Sequence, residues 1–197
     1  MVTMDQIKEL RELTGISVMQ CKKALEDAEG DMEKAKVLLR KKGSDVAQKK
    51  SERDLGAGVV ESYIHNTKQV GALVVLSCET DFVAKNEEFV QLARDIAMQV
   101  AASAPQFLQS EDVLEEDTKA AEEVFRKEVT EQAGDKTKEM QEKILEGKIT
   151  AFLKEKILLE QAYIKDTNVT IKSLIESAAQ KFGENVVISH FKRYSVK

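Results

Sequence analysis

The sequence predicts an α+β fold, in which a small helical unit at the N-terminus precedes a small antiparallel sheet packed with helices. The 197 residues include nine Gly and one Pro and are rich in Lys, Glu, Ala and Leu, a composition that favours helices. The apolar pattern changes from helical spacing to strand alternation near Ala57. The chain is also long enough for one ordinary domain and a smaller one.

Residues 1–43 are predicted to form three short helices. Ser17 begins the second helix in a capping-box pattern with Gln20. Asp31 is a suitable N-cap for the third helix, and Gly43 is a suitable C-terminal stop. So small a unit has a minimal core, and it suits docking to a partner better than holding a catalytic pocket.

Residues 44–56 are predicted as a linker between this unit and a second domain of residues 57–197. Charged side chains dominate the segment, and its apolar periodicity is weak. Its lysines, together with the basic run 40–42, raise the alternative of RNA binding, which would weaken steeply with salt. Interleaved acidic residues favour a solvated linker instead.

The second domain begins with a predicted β-hairpin. Residues 57–64 alternate in polarity, 66–69 form a polar turn, and 70–76 are a nearly continuous apolar run typical of a buried strand. Asn86 then caps the helix that has the strongest apolar periodicity in the chain. The corner between strand and helix is therefore short.

Two long helices, 111–133 and 136–161, are predicted around Gly134 as a helical hairpin. A short helix follows and ends at Gly183, and a final strand over 186–194 is expected to join the β-hairpin. A sheet of three strands has open edges unless a partner covers them.

Composition and charge argue against several functional classes. The net charge of −5 argues against a general nucleic-acid binder, and no segment approaches the ~20 apolar residues that span a membrane. The N-terminus shows no secretory signal. Cys21 and Cys78 are far apart in sequence and are predicted to be free thiols in a reducing cytoplasm.

Motifs of catalysis and cofactor binding are missing from the sequence. His65 and His190 lack ligand-type neighbours at metal-binding spacing, so no metal site is predicted. There is no Gly-x-Ser-x-Gly, no Cys-x-x-Cys and no Gly-rich phosphate loop. We therefore predict no cofactor and no enzyme in the bond-making sense.

Two motifs closely resemble the bacterial elongation factor Ts family. The first is Leu10-Arg11-Glu12-Leu13-Thr14-Gly15, which continues through Cys21-Lys22-Lys23-Ala24-Leu25-Glu26-Asp27-Ala28. The second is Cys78-Glu79-Thr80-Asp81-Phe82-Val83-Ala84-Lys85-Asn86. Weaker matches at 95–102 and 183–187 extend the similarity over essentially the whole chain in one order.

The resemblance implies a guanine-nucleotide exchange factor for translation. Members of the family bind elongation factor Tu carrying GDP and displace its magnesium ion, so that GDP leaves and GTP enters. The positions that match the magnesium-dislocating segment are Thr80, Asp81, Phe82 and Val83.

The first motif resembles the family's ubiquitin-associated-like domain, which is expected to grip the GTPase. Val18 and Met19 match the apolar contact pair, and Leu10 is a further candidate. The first residue of the pair is usually Met in the family, so Val18 shortens that contact.

The resemblance also implies a homodimer. Longer family members have a core of two related halves and a coiled-coil insertion, whereas one copy of the hairpin-plus-helix unit is visible here. Short members complete the core by pairing two chains. We therefore expect pairing through the C-terminal domain, with the sheet edge near 186–194 as the candidate interface.

The same residues also have simpler interpretations. Taken without the family, Phe82 is explained as an ordinary core aromatic, and Val18 and Met19 as core residues. A separate alternative is a ubiquitin-associated-like adaptor that docks partners only through residues 1–43, and this alternative predicts that Phe82→Ala changes nothing.

Overall fold

The computed structural model describes residues 2–132 and 137–196, and it confirms the predicted α+β fold. Short 3₁₀ turns lie at Ser110–Asp112 and Leu158–Glu160. The helices are α1 Met4–Thr14, α2 Val18–Asp27, α3 Met32–Lys50, α4 Asp81–Ala84, α5 Glu87–Ser103, α6 Glu115–Gln132, α7 Lys138–Lys156 and α8 Ile171–Phe182. The strands are β1 Ala57–Ile64, β2 Val70–Cys78, β3 Ala162–Tyr163, β4 Asp166–Thr170 and β5 Val187–Ser195.

Helices α1 to α3 enclose a small apolar core of their own. Of the two N-caps predicted for these helices, one is confirmed and the other is not. Asp31 caps α3 as predicted, because its side chain accepts a hydrogen bond from the Lys34 amide at 3.0 Å. Ser17 holds the N-cap position of α2, but its side chain makes no capping bond. The predicted capping box with Gln20 is therefore wrong, and the Gln20 side chain instead accepts from Gln180 on α8.

The prediction that Gly43 ends the third helix is wrong, since α3 continues to Lys50. Gly43 is buried against α8, where an added Cβ would lie 3.3 Å from the Glu176 carbonyl oxygen and 3.1 Å from Gln180 Oε1. A residue without a side chain therefore allows the two helices to approach closely. Residues 44–50, expected within the linker, are helical, and the division into two domains stays a prediction.

The β-hairpin is confirmed, and β5 joins it as expected. The three strands form an antiparallel sheet of order β1-β2-β5. In the main core, α5 packs against one face of this sheet, and buried residues of α8 belong to the same core. The opposite face carries exposed apolar side chains, including Val60, Ile64, Leu73 and Tyr194.

The helical hairpin is present with shorter helices than predicted. Helix α6 begins at Glu115 and α7 ends at Lys156, and the predicted break at Gly134 lies outside the described residues. A small apolar cluster joins the two helices around Val129 and Leu145. Arg126 on α6 also pairs with Glu142 on α7 at 2.8 Å.

One small β-hairpin, β3–β4, was not predicted. Its strands are short, and β4 is almost entirely exposed, so it lacks the apolar pattern of a strand. The buried amide of Gln99 on α5 fixes this segment, accepting from the Ile164 amide at 2.9 Å and donating to the Ala162 carbonyl at 3.1 Å.

Candidate functional site

The corner between β2 and α5 contains the single-turn helix α4. Val83 and Ala84 point into the main core and are almost fully buried. Asp81 and Phe82 point outward, and the Phe82 side chain is 85% exposed. The turn therefore anchors one side in the core and presents an acidic and an aromatic residue on the other.

The exposure of Phe82 contradicts its interpretation as a core residue. A large apolar side chain is ordinarily buried, and a fully buried Phe gains about 1.5–3 kcal/mol relative to an exposed one. Seven residues further along the chain, Phe89 shows the ordinary case and is completely buried. Phe82 is thus available to a partner without any rearrangement of the fold.

Glu184, just after α8, supports the strand end that leads into this corner. Its Oε2 atom accepts hydrogen bonds from the amides of Glu79 and Thr80, each at 3.0 Å. Its Oε1 atom accepts from the Thr80 hydroxyl at 2.5 Å. Thr80 therefore occupies the N-cap position of α4 with its hydroxyl directed to Glu184 rather than to the helix.

The Glu79 side chain forms a second link between the end of β2 and the segment after α8. Its carboxylate accepts from the Asn185 amide at 2.6 Å and pairs with Arg53 at 3.2 Å. These two interactions, the Asn185 bond first, lower the pKa of Glu79 below its ordinary value. The carboxylate is therefore held ionised where it joins the segments around residues 53, 79 and 185.

The Cys78 thiol at the end of β2 is buried and donates to the Thr80 carbonyl at 3.3 Å. Burial raises the pKa of this thiol, and the neighbouring Glu184 carboxylate raises it further. A protonated, buried thiol is consistent with a packing role rather than with a nucleophile.

The helix that follows the corner begins as predicted. The Asn86 side chain accepts from the Glu88 amide at 2.9 Å and so caps α5. Glu88 in turn pairs with Lys181 of α8 at 2.6 Å. Asp81 and Lys85 form an exposed pair at 3.6 Å, which is expected to contribute little to stability.

The three N-terminal candidates lie in different environments. Met19 is 77% exposed and Val18 is 45% exposed, both in the first turn of α2. Leu10 is completely buried among α1, α2 and α3, so it offers no surface to a partner. Leu10 therefore supports the helices that present Val18 and Met19, and we do not retain it as a contact residue.

The structure joins the two candidate regions through α8. Gln180 donates to Gln20 at 2.6 Å, one residue beyond Met19, while Lys181 reaches Glu88 near the corner. Glu184 itself was not singled out from the sequence. Its partners lie more than a hundred residues away, and the only available signal was the weak family match over 183–187.

No group of His, Cys, Asp and Glu able to hold a metal ion occurs in the described residues. Over the same ranges, no helix is long and apolar enough to cross a membrane. The exposed features of the corner and of α2 are suited to contact with another macromolecule.

Comparison with known proteins identifies the relatives of the chain. A family model described as "Elongation factor TS" matches residues 21–197. The protein named elongation factor Ts from Thermodesulfovibrio yellowstonii is 47% identical over 195 residues, which cover 99% of this chain and 96% of that protein. The proteins of the same name from Carboxydothermus hydrogenoformans and Thermotoga maritima are 46% and 44% identical, over 100% and 99% of this chain and 89% and 96% of theirs.

Proposed function

The chain belongs to the elongation factor Ts family, and we propose that it is a guanine-nucleotide exchange factor that binds elongation factor Tu carrying GDP and promotes GDP release. One observation carries this proposal furthest. Among the large apolar side chains of the described residues, Phe82 and Met19 are the two most exposed. Both positions match partner-contacting positions of the family.

The proposed exchange has two parts. Val18 and Met19 dock the N-terminal helices on the GTPase, and the corner then brings Asp81 and Phe82 to the nucleotide site. A bound magnesium ion is a large local charge at a phosphate site, so its displacement weakens the hold on GDP. Phe82 suits a wedge because an aromatic ring has a large apolar area and few rotamers.

Thr80 and Val83 have supporting roles in this proposal. Val83 is buried and fixes α4 to the core, and Thr80 fixes the strand end through Glu184. The exchange needs a higher affinity for the nucleotide-free GTPase than for the GDP-bound one. The proposed exchange makes and breaks no covalent bond, so the chain acts as an exchange factor rather than as an enzyme in the bond-making sense. It acts in the cytoplasm, where translation takes place.

We also propose that two copies of the chain pair through the C-terminal domain. Strand β5 is an edge of the three-stranded sheet, and Tyr194 lies beside Gly71, which lies beside Ile64. With Leu73 in the next row, these side chains form an exposed apolar surface on the outer face of the sheet. A second copy packed on this face would bury the apolar surface, and pairing of its strand with β5 would cover the open edge.

Release of a fluorescent GDP analogue from elongation factor Tu tests the proposed exchange. Catalytic amounts of the protein should accelerate release, and Phe82→Ala should remove most of the acceleration. Val124→Ala is the matched control, because it shortens another exposed apolar residue on α6, away from the corner. An adaptor that only docks would bind the GTPase without acceleration, and that result would contradict the proposal.

Sedimentation and light scattering test the pairing. A dimer mass is expected for the wild type, and Leu73→Asp should convert it to a monomer by placing a charge on the apolar face. Val124→Asp introduces the same charge on an exposed residue of α6 and should leave the dimer intact. A wild-type protein that is monomeric at working concentration would exclude this part of the proposal.

A further inference from the structure

Glu184 lies outside the family motif at residues 78–86, but its carboxylate accepts hydrogen bonds from two amides within that motif. We propose that Glu184 is a positioning residue for exchange, holding residues 79 and 80 so that Asp81 and Phe82 are presented in one fixed orientation. This inference rests on the proposed function. Glu184 is not among the family positions matched to the magnesium-dislocating segment.

The first support is that the strand end depends on Glu184 for its hydrogen bonds. The ladder between β1 and β2 ends at the pair Ala57 and Cys78, so the next two amides lie beyond it. Both donate to the Glu184 carboxylate, which also receives the Thr80 hydroxyl. This one side chain therefore supplies the acceptors that a neighbouring strand would otherwise provide.

The second support is that the contact is reciprocal and joined to the fold on both sides. Glu79 accepts from the Asn185 amide, and the Asn185 side chain donates to the Arg53 carbonyl at 3.2 Å. Gly183 ends α8 with a φ of 70°, a left-handed conformation suited to glycine, and turns the chain toward the corner. The backbone of Glu184 is therefore fixed by the end of α8, independently of the corner that its side chain supports.

The third support is the short distance in sequence between the bonded groups and the wedge. Phe82 follows Thr80 by two residues, and α4 has only four residues to resist rotation. Buried Val83 fixes the far side of the turn, and Glu184 fixes its entrance. A corner ordered before contact avoids the entropy cost of ordering it during binding, which favours rapid exchange.

Substitutions at Glu184 separate positioning from docking. Glu184→Ala removes all three bonds, and Glu184→Asp keeps the charge on a side chain one methylene shorter. Both should lower the exchange rate at saturating factor by about tenfold or more, a factor of ten being the effect of about 1.4 kcal/mol. The concentration giving half-maximal rate should stay within about threefold, since Val18 and Met19 are unchanged.

Glu184→Gln provides the matched control. Its carbonyl can accept from both amides, and its amide group can donate to the Thr80 oxygen, so most of the wild-type rate should return. A Gln variant as slow as the Ala variant would show that the bonding geometry is not what matters, and would overturn the proposal.

A double-mutant cycle with Phe82→Ala tests whether Glu184 acts through the wedge. If it positions Phe82, Glu184→Ala should add little to the loss already caused by Phe82→Ala. Fully additive losses would place its effect elsewhere in the molecule and overturn the proposal, as would a wild-type rate for Glu184→Ala.

Amide hydrogen exchange at residues 79 and 80 gives a readout that needs no partner. These amides should be protected in the wild type and exchange faster in Glu184→Ala and Glu184→Asp, while the core amides of α5 stay protected. If hydrogen exchange at both amides is the same in the wild type and in Glu184→Ala, the inference is refuted, even if the wild type proves inactive toward the GTPase. Failure of the wild-type release assay with a clear loss of protection would instead refute only the proposed function.

Discussion

Phe82 and Phe89 form a natural pair for separating function from stability. The same Phe→Ala change removes an almost fully exposed ring at position 82 and a completely buried ring at position 89. Surface substitutions usually change stability by less than about 0.5 kcal/mol, whereas Phe→Ala in a core costs about 3–5 kcal/mol. Phe89 also loses an edge-to-face contact with Phe182, whose ring centre is 5.8 Å away.

The expected effect on exchange has the opposite order. If Phe82 becomes buried against the partner in the transition state, its loss removes about 1.5–3 kcal/mol of apolar stabilisation. That range corresponds to a roughly 10- to 150-fold fall in exchange efficiency at limiting factor concentration. For Phe89→Ala, activity per folded molecule should fall much less, and the loss should track the folded fraction.

Two measurements on the same samples separate the effect of each substitution on stability from its effect on nucleotide exchange. Urea denaturation gives the free energy of unfolding, and release of fluorescent GDP from elongation factor Tu gives the exchange rate. Phe82→Ala should retain stability and lose rate, while Phe89→Ala should lose stability. A Phe82→Ala protein of wild-type rate would refute the wedge, and one that unfolds easily would show that the ring packs within the fold.

Four further predictions concern docking, helix packing, helix propensity and acid stability. Met19→Asp should raise the factor concentration needed for half-maximal exchange without changing the fold, while the rate at saturation is retained. Gly43→Ala should lower the free energy of unfolding by up to about 2 kcal/mol, because crowding of the Glu176 backbone carbonyl outweighs the helix propensity that Ala gains. Gly147→Ala should raise stability by about 0.5–1 kcal/mol, because α7 has open space there; urea denaturation checks both signs. The lowered pKa of Glu79 means that its carboxylate stabilises the fold above its ordinary pKa and that this stabilisation is lost as pH falls through the native value. Glu79→Gln should therefore lose less stability than the wild type during acid titration, and equal losses would contradict the role of the Asn185 bond.

Local pattern was sufficient to predict most helices and the main hairpin. The periodicity of residues 87–103 and the Asn86 cap report the same helix, and the structure has both. Alternation over 57–64 and the nearly continuous apolar run of 70–76 predicted a β-hairpin, which the structure confirms. These features depend on neighbours a few residues apart, so the sequence contains the required information.

Local sequence patterns could not predict the contacts between segments that are distant along the chain. Gly43 resembles a helix stop locally, and only the proximity of α8 explains a glycine within α3. The β3–β4 hairpin lacks an apolar pattern because buried Gln99 bonds to its backbone. Glu184 likewise accepts hydrogen bonds from residues 104 and 105 positions away, which no local spacing reveals.

Exposure alone does not make Phe82 functional, since single apolar residues are common on protein surfaces. What distinguishes it is the support beneath it. Val124 is also an exposed apolar residue, but it lies on a helix whose own core is a small cluster. Phe82 lies on a turn anchored by buried Val83 and entered through a strand end bonded to Glu184. A fold that fixes the backbone on both sides of an exposed ring has restricted its motion before any partner arrives, and this restriction is the property that a wedge requires.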